Sequence, residues 1–306
     1  MIALKTILSK WNRYLKMLIM KNASLIVIFL WILQSCNIVN PKEEIPTYIQ
    51  IDSVQLVPTH SQIHGSVSHK ITDVWVYYNR EILGAYQLPA KIPVIADGKG
   101  QLQILAGIWD NGLSGTRARY PFFTVDTFTF DANPTQIIHH TPIFNYRTTD
   151  TPSVKYFIES FEQGNTLTSN GGDTTFYKTN NPTEVFEGDW SAKVALNDSI
   201  KGFSSITTQE FSVPIGQDCY MELNYKTDIG LIVAIEINSS GNLITSDLIG
   251  LNPRDNWNKV YLNLKGYTSG FQNAKFKIIF YGSLPDDKTS SLTLIDNFKI
   301  IYFNKI

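Results

Sequence analysis

Asp189-Trp190-Ser191-Ala192-Lys193-Val194-Ala195-Leu196 decides the fold of the larger part of this chain. Trp190, Ala192, Val194 and Leu196 fall on one side of a strict alternation. A period of two is what a strand with one buried face requires, because successive side chains point to opposite faces. The pattern recurs outward from there: Cys219, Met221, Leu223 and Tyr225; Leu231, Val233, Ile235 and Ile237; Val260, Leu262 and Leu264; Phe276, Ile278 and Phe280. On the same parity Leu292, Leu294, Phe298, Ile300 and Tyr302 are expected to share one face of a last strand. Eight or nine strands in roughly 150 residues predict a two-sheet sandwich of the jelly-roll kind over residues 155–306.

Upstream, residues 48–132 predict a second, smaller β domain. Tyr48-Ile49-Gln50-Ile51 opens it. Asp73 to Tyr78 and Glu81 to Pro89, separated by Asn79-Arg80, predict a hairpin with a two-residue turn. Gln101 to Leu105 and Ala118 to Val125 supply further strands, with Asp110-Asn111-Gly112 and Ser114-Gly115 as turns. Helical periodicity is absent from this region. The pattern resembles small immunoglobulin-like or PEGA-like sandwich domains of bacterial envelope proteins.

Residues 133–154 hold Pro134, Pro142 and Pro152 in a Thr-rich stretch and predict an extended, semi-stiff linker. His139-His140 lies within it; adjacent histidines on an extended chain point to opposite sides, which argues against a shared metal.

At the N-terminus, Lys16 and Lys21 precede an apolar run from Leu25 to Leu33, the layout of a secretory signal helix. The run is shorter than the roughly 20 residues a spanning helix needs. Leu33-Gln34-Ser35-Cys36 closes it and resembles the lipobox of bacterial lipoproteins, although Gln34 departs from the usual small or β-branched residue. The resemblance implies a signal peptide over residues 1–36 and lipidation of Cys36; Met17 or Met20 is an alternative start to Met1. Residues 37–47 then form a short tether with Pro41 and Pro46. Within it Lys42-Glu43-Glu44 resembles the export signal of Bacteroidota surface lipoproteins, which implies an outer-membrane, lipid-anchored, cell-surface address.

Composition bounds the rest. Formal net charge is -1, sequence pI is near 6.5, charged residues are 17% and aromatics 12%. Nothing here offers nucleic acid a basic surface. With Cys36 lipidated, Cys219 remains alone of the two cysteines and reads as a buried, inert thiol. Catalytic constellations are missing: His60, His64, His69, His139 and His140 all precede the jelly roll, and Glu222 and Glu236 read as solvated, outward glutamates.

Ser160-Phe161-Glu162-Gln163-Gly164, Phe186 to Val194, Asn256 to Val260 and Leu294 to Ile300 follow one another as in galactose-binding-like jelly rolls, including many carbohydrate-binding modules. That resemblance implies a structural Ca²⁺ with Glu162 and Asp296 as side-chain ligands. The alternative is that Asp296, placed by parity on an apolar face, accepts loop N–H groups with no ion. Trp257, Tyr267 and Tyr281 are the outward aromatic candidates for a ligand platform, with Tyr220 beside them. Two functions follow as expectations. One is a non-enzymatic binding or scaffolding subunit of an outer-membrane protein complex; the other is a glycan-binding surface lipoprotein.

Overall fold

Asn79 and Arg80, both with positive φ (48° and 73°), form the tip of a hairpin between β3 (Asp73–Tyr78) and β4 (Glu81–Gln87). Two positive φ values in a two-residue loop match the right-handed twist of the flanking strands, so the expected hairpin is present. The computed structural model describes residues 10–11, 13–17, 19–22, 43–96, 98–148 and 153–304. Cys36, Lys42 and the apolar run before them lie outside the described residues; Glu43 and Glu44 are exposed. Thr47–Ile306 makes one compact unit, described here by itself.

In the first sandwich, β3 lies between β4 and β6 (Gly98–Trp109), with β7 (Arg117–Arg119) and β8 (Asp126–Ala132) on the far side of β6. The facing sheet sets β1 (Thr47–Ile51) between β5 (Ala90–Val94) and β9 (Ile137–His139). The strand expected over Ala118–Val125 stops at Arg119. Tyr120 still donates its N–H to the Ala106 carbonyl of β6; Phe122 and Phe123 turn away beyond it, and all three rings are buried.

The stretch read as a linker is woven into this sandwich. β9 pairs in parallel with β1, and β10 (Ile143–Phe144) pairs in parallel with β2 (Gln55–Leu56). Phe144 and Tyr146 are buried. The reason is physical: prolines favour extended backbone, extended backbone is strand geometry, and open edges of β1 and β2 lie within reach.

The second half is an all-β jelly-roll sandwich. Its six-stranded sheet runs β13 (Tyr177–Thr179), β14 (Ser191–Asn197), β21 (Ser290–Phe303), β16 (Cys219–Thr227), β19 (Arg254–Asn263), with β11 (Val154–Glu159) also on β21. Its five-stranded sheet runs β12 (Leu167–Gly172), β15 (Gly202–Thr207), β20 (Lys275–Ser283), β17 (Leu231–Ser239), β18 (Asn242–Leu251). Ala192, Val194, Leu196, Met221, Leu223, Val233, Ile235, Leu262, Phe276, Ile278 and Phe280 meet between the sheets, as their alternation predicts. Cys219 is buried among them, and burial pushes its thiol pKa up, out of the nucleophilic range. Trp190 sits at the rim of this core, half-buried, with the Lys178 ammonium 4.4 Å from its ring centroid.

The last strand corrects the parity reading. Asn297 takes φ 47°, and the register of β21 on β16 shifts between Glu222 and Asn224. One extra residue at a bulge moves everything beyond it to the other face. Ile295, Phe298 and Ile300 therefore point into the core, while Leu294 pairs with Lys193 on the opposite face and Asp296 pairs with Asn224.

Candidate functional site

A sandwich has two outer sheet faces, and in this jelly roll they have different fates. The outer face of the six-stranded sheet is covered by the first sandwich. Tyr220, Tyr261 and Ile301 from that face belong to one continuous apolar core with Ile104, Ile108, Tyr120, Phe122 and Tyr146. Glu222 lies at the centre of this seam and is fully buried. Its carboxylate accepts from Tyr120 Oη at 2.6 Å and Tyr146 Oη at 2.8 Å, with Lys259 Nζ at 2.8 Å and Lys299 Nζ at 3.7 Å. Burial alone would raise its pKa, but the Lys259 and Lys299 charges and the hydrogen bonds outweigh it and hold the carboxyl at about 2. Glu222 is thus the reverse of the solvated glutamate expected. It has the predicted outward parity, but that face is roofed.

Around it, Asn224 Nδ2 donates to Ser68 Oγ, Lys70 Nζ to Asn258 Oδ1 and Tyr220 Oη to Asp110 Oδ1. These three hydrogen bonds each join one sandwich to the other. His64 is likewise buried, against the rings of Tyr146 and Tyr156, and burial together with the Lys299 charge lowers its pKa.

The outer face of the five-stranded sheet faces away from this seam. Register sets Thr168, Ile206, Ile279, Ala234 and Asp247 side by side across all five strands. The next row carries Ser204, Tyr281 and Ile232, and the row on the other side Lys277, Glu236 and Thr245. Ile206, Ala234 and Ile279 form a small apolar floor against which Tyr281 packs. Tyr281 Oη donates to Asp247 Oδ1 at 2.7 Å, and that acceptor raises the phenol pKa. Tyr267 Oη stands 3.5 Å from the Asp247 carbonyl oxygen. The face therefore offers a half-buried aromatic ring fixed by a carboxylate, with a fringe of hydroxyls, amides and charges, and the Ile206, Ala234 and Ile279 floor beneath the ring is itself buried.

Two of the three aromatic candidates, Tyr267 and Tyr281, thus meet at Asp247. Trp257 does not join them. It lies on β19 of the other sheet, half-buried and packed on Phe186 with ring centroids 5.2 Å apart. Tyr220 is buried in the seam. Asp247 carries no signature of this face in the sequence, whereas Ile278-Ile279-Phe280, apolar on both parities, signals a strand with apolar surface on each side.

Glu162 and Asp296 are each committed to donors. Glu162 Oε1 accepts the N–H groups of Asp189 and Trp190, both at 3.0 Å. Asp296 Oδ2 accepts from Ser191 Oγ at 2.6 Å and its Oδ1 from the Asn297 N–H at 2.6 Å. These donors are loop N–H groups and a hydroxyl, and no group of three acidic, histidine or cysteine side chains assembles among the described residues. Burial is the largest influence on Asp296 and, with the Glu187 charge beside it, lifts its pKa to about 7 against the pull of its hydrogen bonds. His139 and His140 point apart, to Asp52 at 3.6 Å and Asp126 at 2.7 Å.

No protein-family model matches this chain, and no curated protein matches it. Among solved structures it is similar to a xylan-binding domain of carbohydrate-binding-module family 22, with 13% identity and a TM-score of 0.35, covering 49% of this chain and 96% of that one. It is also similar to a family 61 module in complex with β-1,4-galactotriose, with 12% identity and a TM-score of 0.29, covering 47% and 86%. A third is a family 29 module complexed with cellulohexaose, with 14% identity and a TM-score of 0.32, covering 48% and 91%. The ligands named belong to those proteins. What fold and faces define for Thr47–Ile306 is a two-sandwich unit in which the first sandwich covers one outer sheet face of the jelly roll and not the other.

Proposed function

We propose that the protein is a non-enzymatic, glycan-binding lipoprotein, held on the outer membrane by acyl chains on Cys36 and exported to the cell surface by Lys42-Glu43-Glu44. The observation that carries the glycan reading is the Tyr281–Asp247 pair beside the Ile206, Ala234 and Ile279 floor. A sugar presents an apolar ring face and a rim of hydroxyls, and a site for it needs a platform with a few placed polar groups. Tyr281 supplies the platform; Asp247, Ser204, Glu236 and Lys277 supply the rim. Lipid anchoring suits capture at a surface, since several acyl chains at about 0.8 kcal/mol per buried methylene keep a protein on a bilayer.

A glycan array with the full chain purified in non-ionic detergent tests this. Binding is expected to be lost in Tyr281→Ala and retained in Trp257→Ala. Binding that survives both Tyr281→Ala and Asp247→Ala overturns the reading. The anchor is tested separately: Cys36→Ala releases the protein from the membrane fraction, and protease added to intact cells digests the unaltered protein.

The second reading, a docking subunit of an outer-membrane protein complex, draws on β18. It is the edge strand of the five-stranded sheet, and Leu243 and Ile244 near its start are 63% and 43% exposed. An open strand edge with apolar side chains is a template for pairing with a partner strand. Affinity purification from solubilised membranes that recovers no stoichiometric partner counts against it.

A further inference from the structure

A cavity lies in the seam between the sandwiches, separate from the Tyr281 face. It is a cavity of about 90 Å³ walled by Lys70, Trp109 and Asn111 from the first sandwich and by Asn252, Arg254 and Lys259 from the second. That volume has room for several waters, or for one carboxylate or oxyanion head in their place. Its lining carries three cationic side chains and no Asp or Glu. Lys259 is engaged by Glu222 at 2.8 Å. Lys70 instead bonds the neutral amide of Asn258 at 2.6 Å and lies 5.1 Å from the Trp109 ring centroid. Among the described residues no carboxylate forms an ion pair with Lys70 or Arg254. The Trp109 indole N–H is buried with no acceptor among them.

Two cations without a carboxylate partner on one cavity wall are a set of groups suited to negative charge. We propose that this cavity binds a single anionic group, a carboxylate or a phosphate- or sulfate-type oxyanion, held by Lys70 and Arg254. Burial and the nearby Arg254 charge both lower the Lys70 pKa, a repulsion that a bound anion relieves. Because the cavity is walled by both sandwiches, its occupant also ties them together.

The test is thermal unfolding of the full chain in non-ionic detergent, titrated with glucuronate, inorganic phosphate or sulfate. Ionic strength is held with sodium chloride, and glucose is the neutral control. A saturable rise in midpoint with at least one of the three anions, absent with chloride and glucose, is expected. A response to glucuronate alone identifies an acidic sugar as the source; a response to phosphate or sulfate identifies an oxyanion. Losing one charge-assisted hydrogen bond weakens binding about tenfold, so Lys70→Gln and Arg254→Gln each shift the titration by about that factor. Arg254 is exposed, so its variant folds even where Lys70→Gln does not. Tyr281→Ala leaves the anion response unchanged, which separates this site from the glycan face. No saturable response to any of the three anions, or an Arg254→Gln titration identical to the unaltered protein, overturns the proposal.

Discussion

Tyr146 Oη stands 2.8 Å from one carboxylate oxygen of Glu222 and 3.0 Å from the other, with both residues buried. Tyr146 comes from the stretch that joins the two sandwiches, and Glu222 from the middle of β16. The joining stretch is thus part of the seam's chemistry, and the seam has a charged centre. Removing the Glu222 carboxylate strands Lys259 and Lys299 and two phenol hydroxyls in an apolar core. A buried pair that loses one partner typically costs about 3–5 kcal/mol.

Glu222→Ala is therefore expected to destabilise Thr47–Ile306 by that amount. Tyr146→Phe, which removes one hydrogen bond to a charged group, costs about 2 kcal/mol. Urea unfolding of the full chain, followed by tryptophan fluorescence, measures both. A single transition for the two sandwiches together is expected. A Glu222→Ala midpoint equal to that of the unaltered protein would sink the assignment of the seam.

Asp296 makes a prediction about pH with an unusual sign. Its native pKa lies near 7, above the ordinary aspartate range near 4 that it has when unfolded. Between about pH 4 and 7 the native state holds a proton that the unfolded state has released. Stability from this group therefore falls as pH rises through that window. Asp296→Asn removes the titration while its one carbonyl oxygen keeps the Asn297 N–H bond and its amide N–H faces the Ser191 hydroxyl, which can accept. Relative to the unaltered protein, the Asn variant is expected to gain stability between pH 5 and pH 7.5. Equal differences in urea midpoint at the two pH values would show that Asp296 is ionised throughout.

How much of this was readable from the chain can be followed residue by residue. The rows Ala192-Val194-Leu196 and Phe276-Ile278-Phe280 were legible because alternation is a local property of the strand. So was the Asn79-Arg80 hairpin, since turn geometry is set by neighbours in sequence. Glu222 was not legible, because parity reports which face a residue occupies and is silent about what covers that face. Leu294 was misplaced for a different reason: the bulge at Asn297 carries no side-chain signature beyond an Asn that tolerates positive φ. The stretch from Asn133 to Val154 was read from its prolines, whereas Ile138, Phe144 and Tyr146 decided its place. On the open face, Tyr281 could be singled out as an aromatic, but its partner Asp247 is distant in sequence and is brought to it only by the sheet.

Gly188 lies directly against Glu162, so substituting it tests how that carboxylate is held. Gly188 has φ 71°, in the left-handed region where glycine is unstrained. A Cβ built there would clash with Glu162 Oε1, the oxygen that accepts the N–H groups of Asp189 and Trp190. Gly188→Ala thus adds left-handed strain of about 1 kcal/mol and also pushes the carboxylate off its two donors, each worth about 1.5 kcal/mol or more. Glu162→Gln keeps an acceptor without the charge and is expected to cost less than Gly188→Ala. The double variant Gly188→Ala/Glu162→Ala relieves the clash, so its loss is smaller than the sum of the single losses. Strict additivity across that cycle, measured by urea unfolding, would mean that Gly188 and Glu162 do not touch.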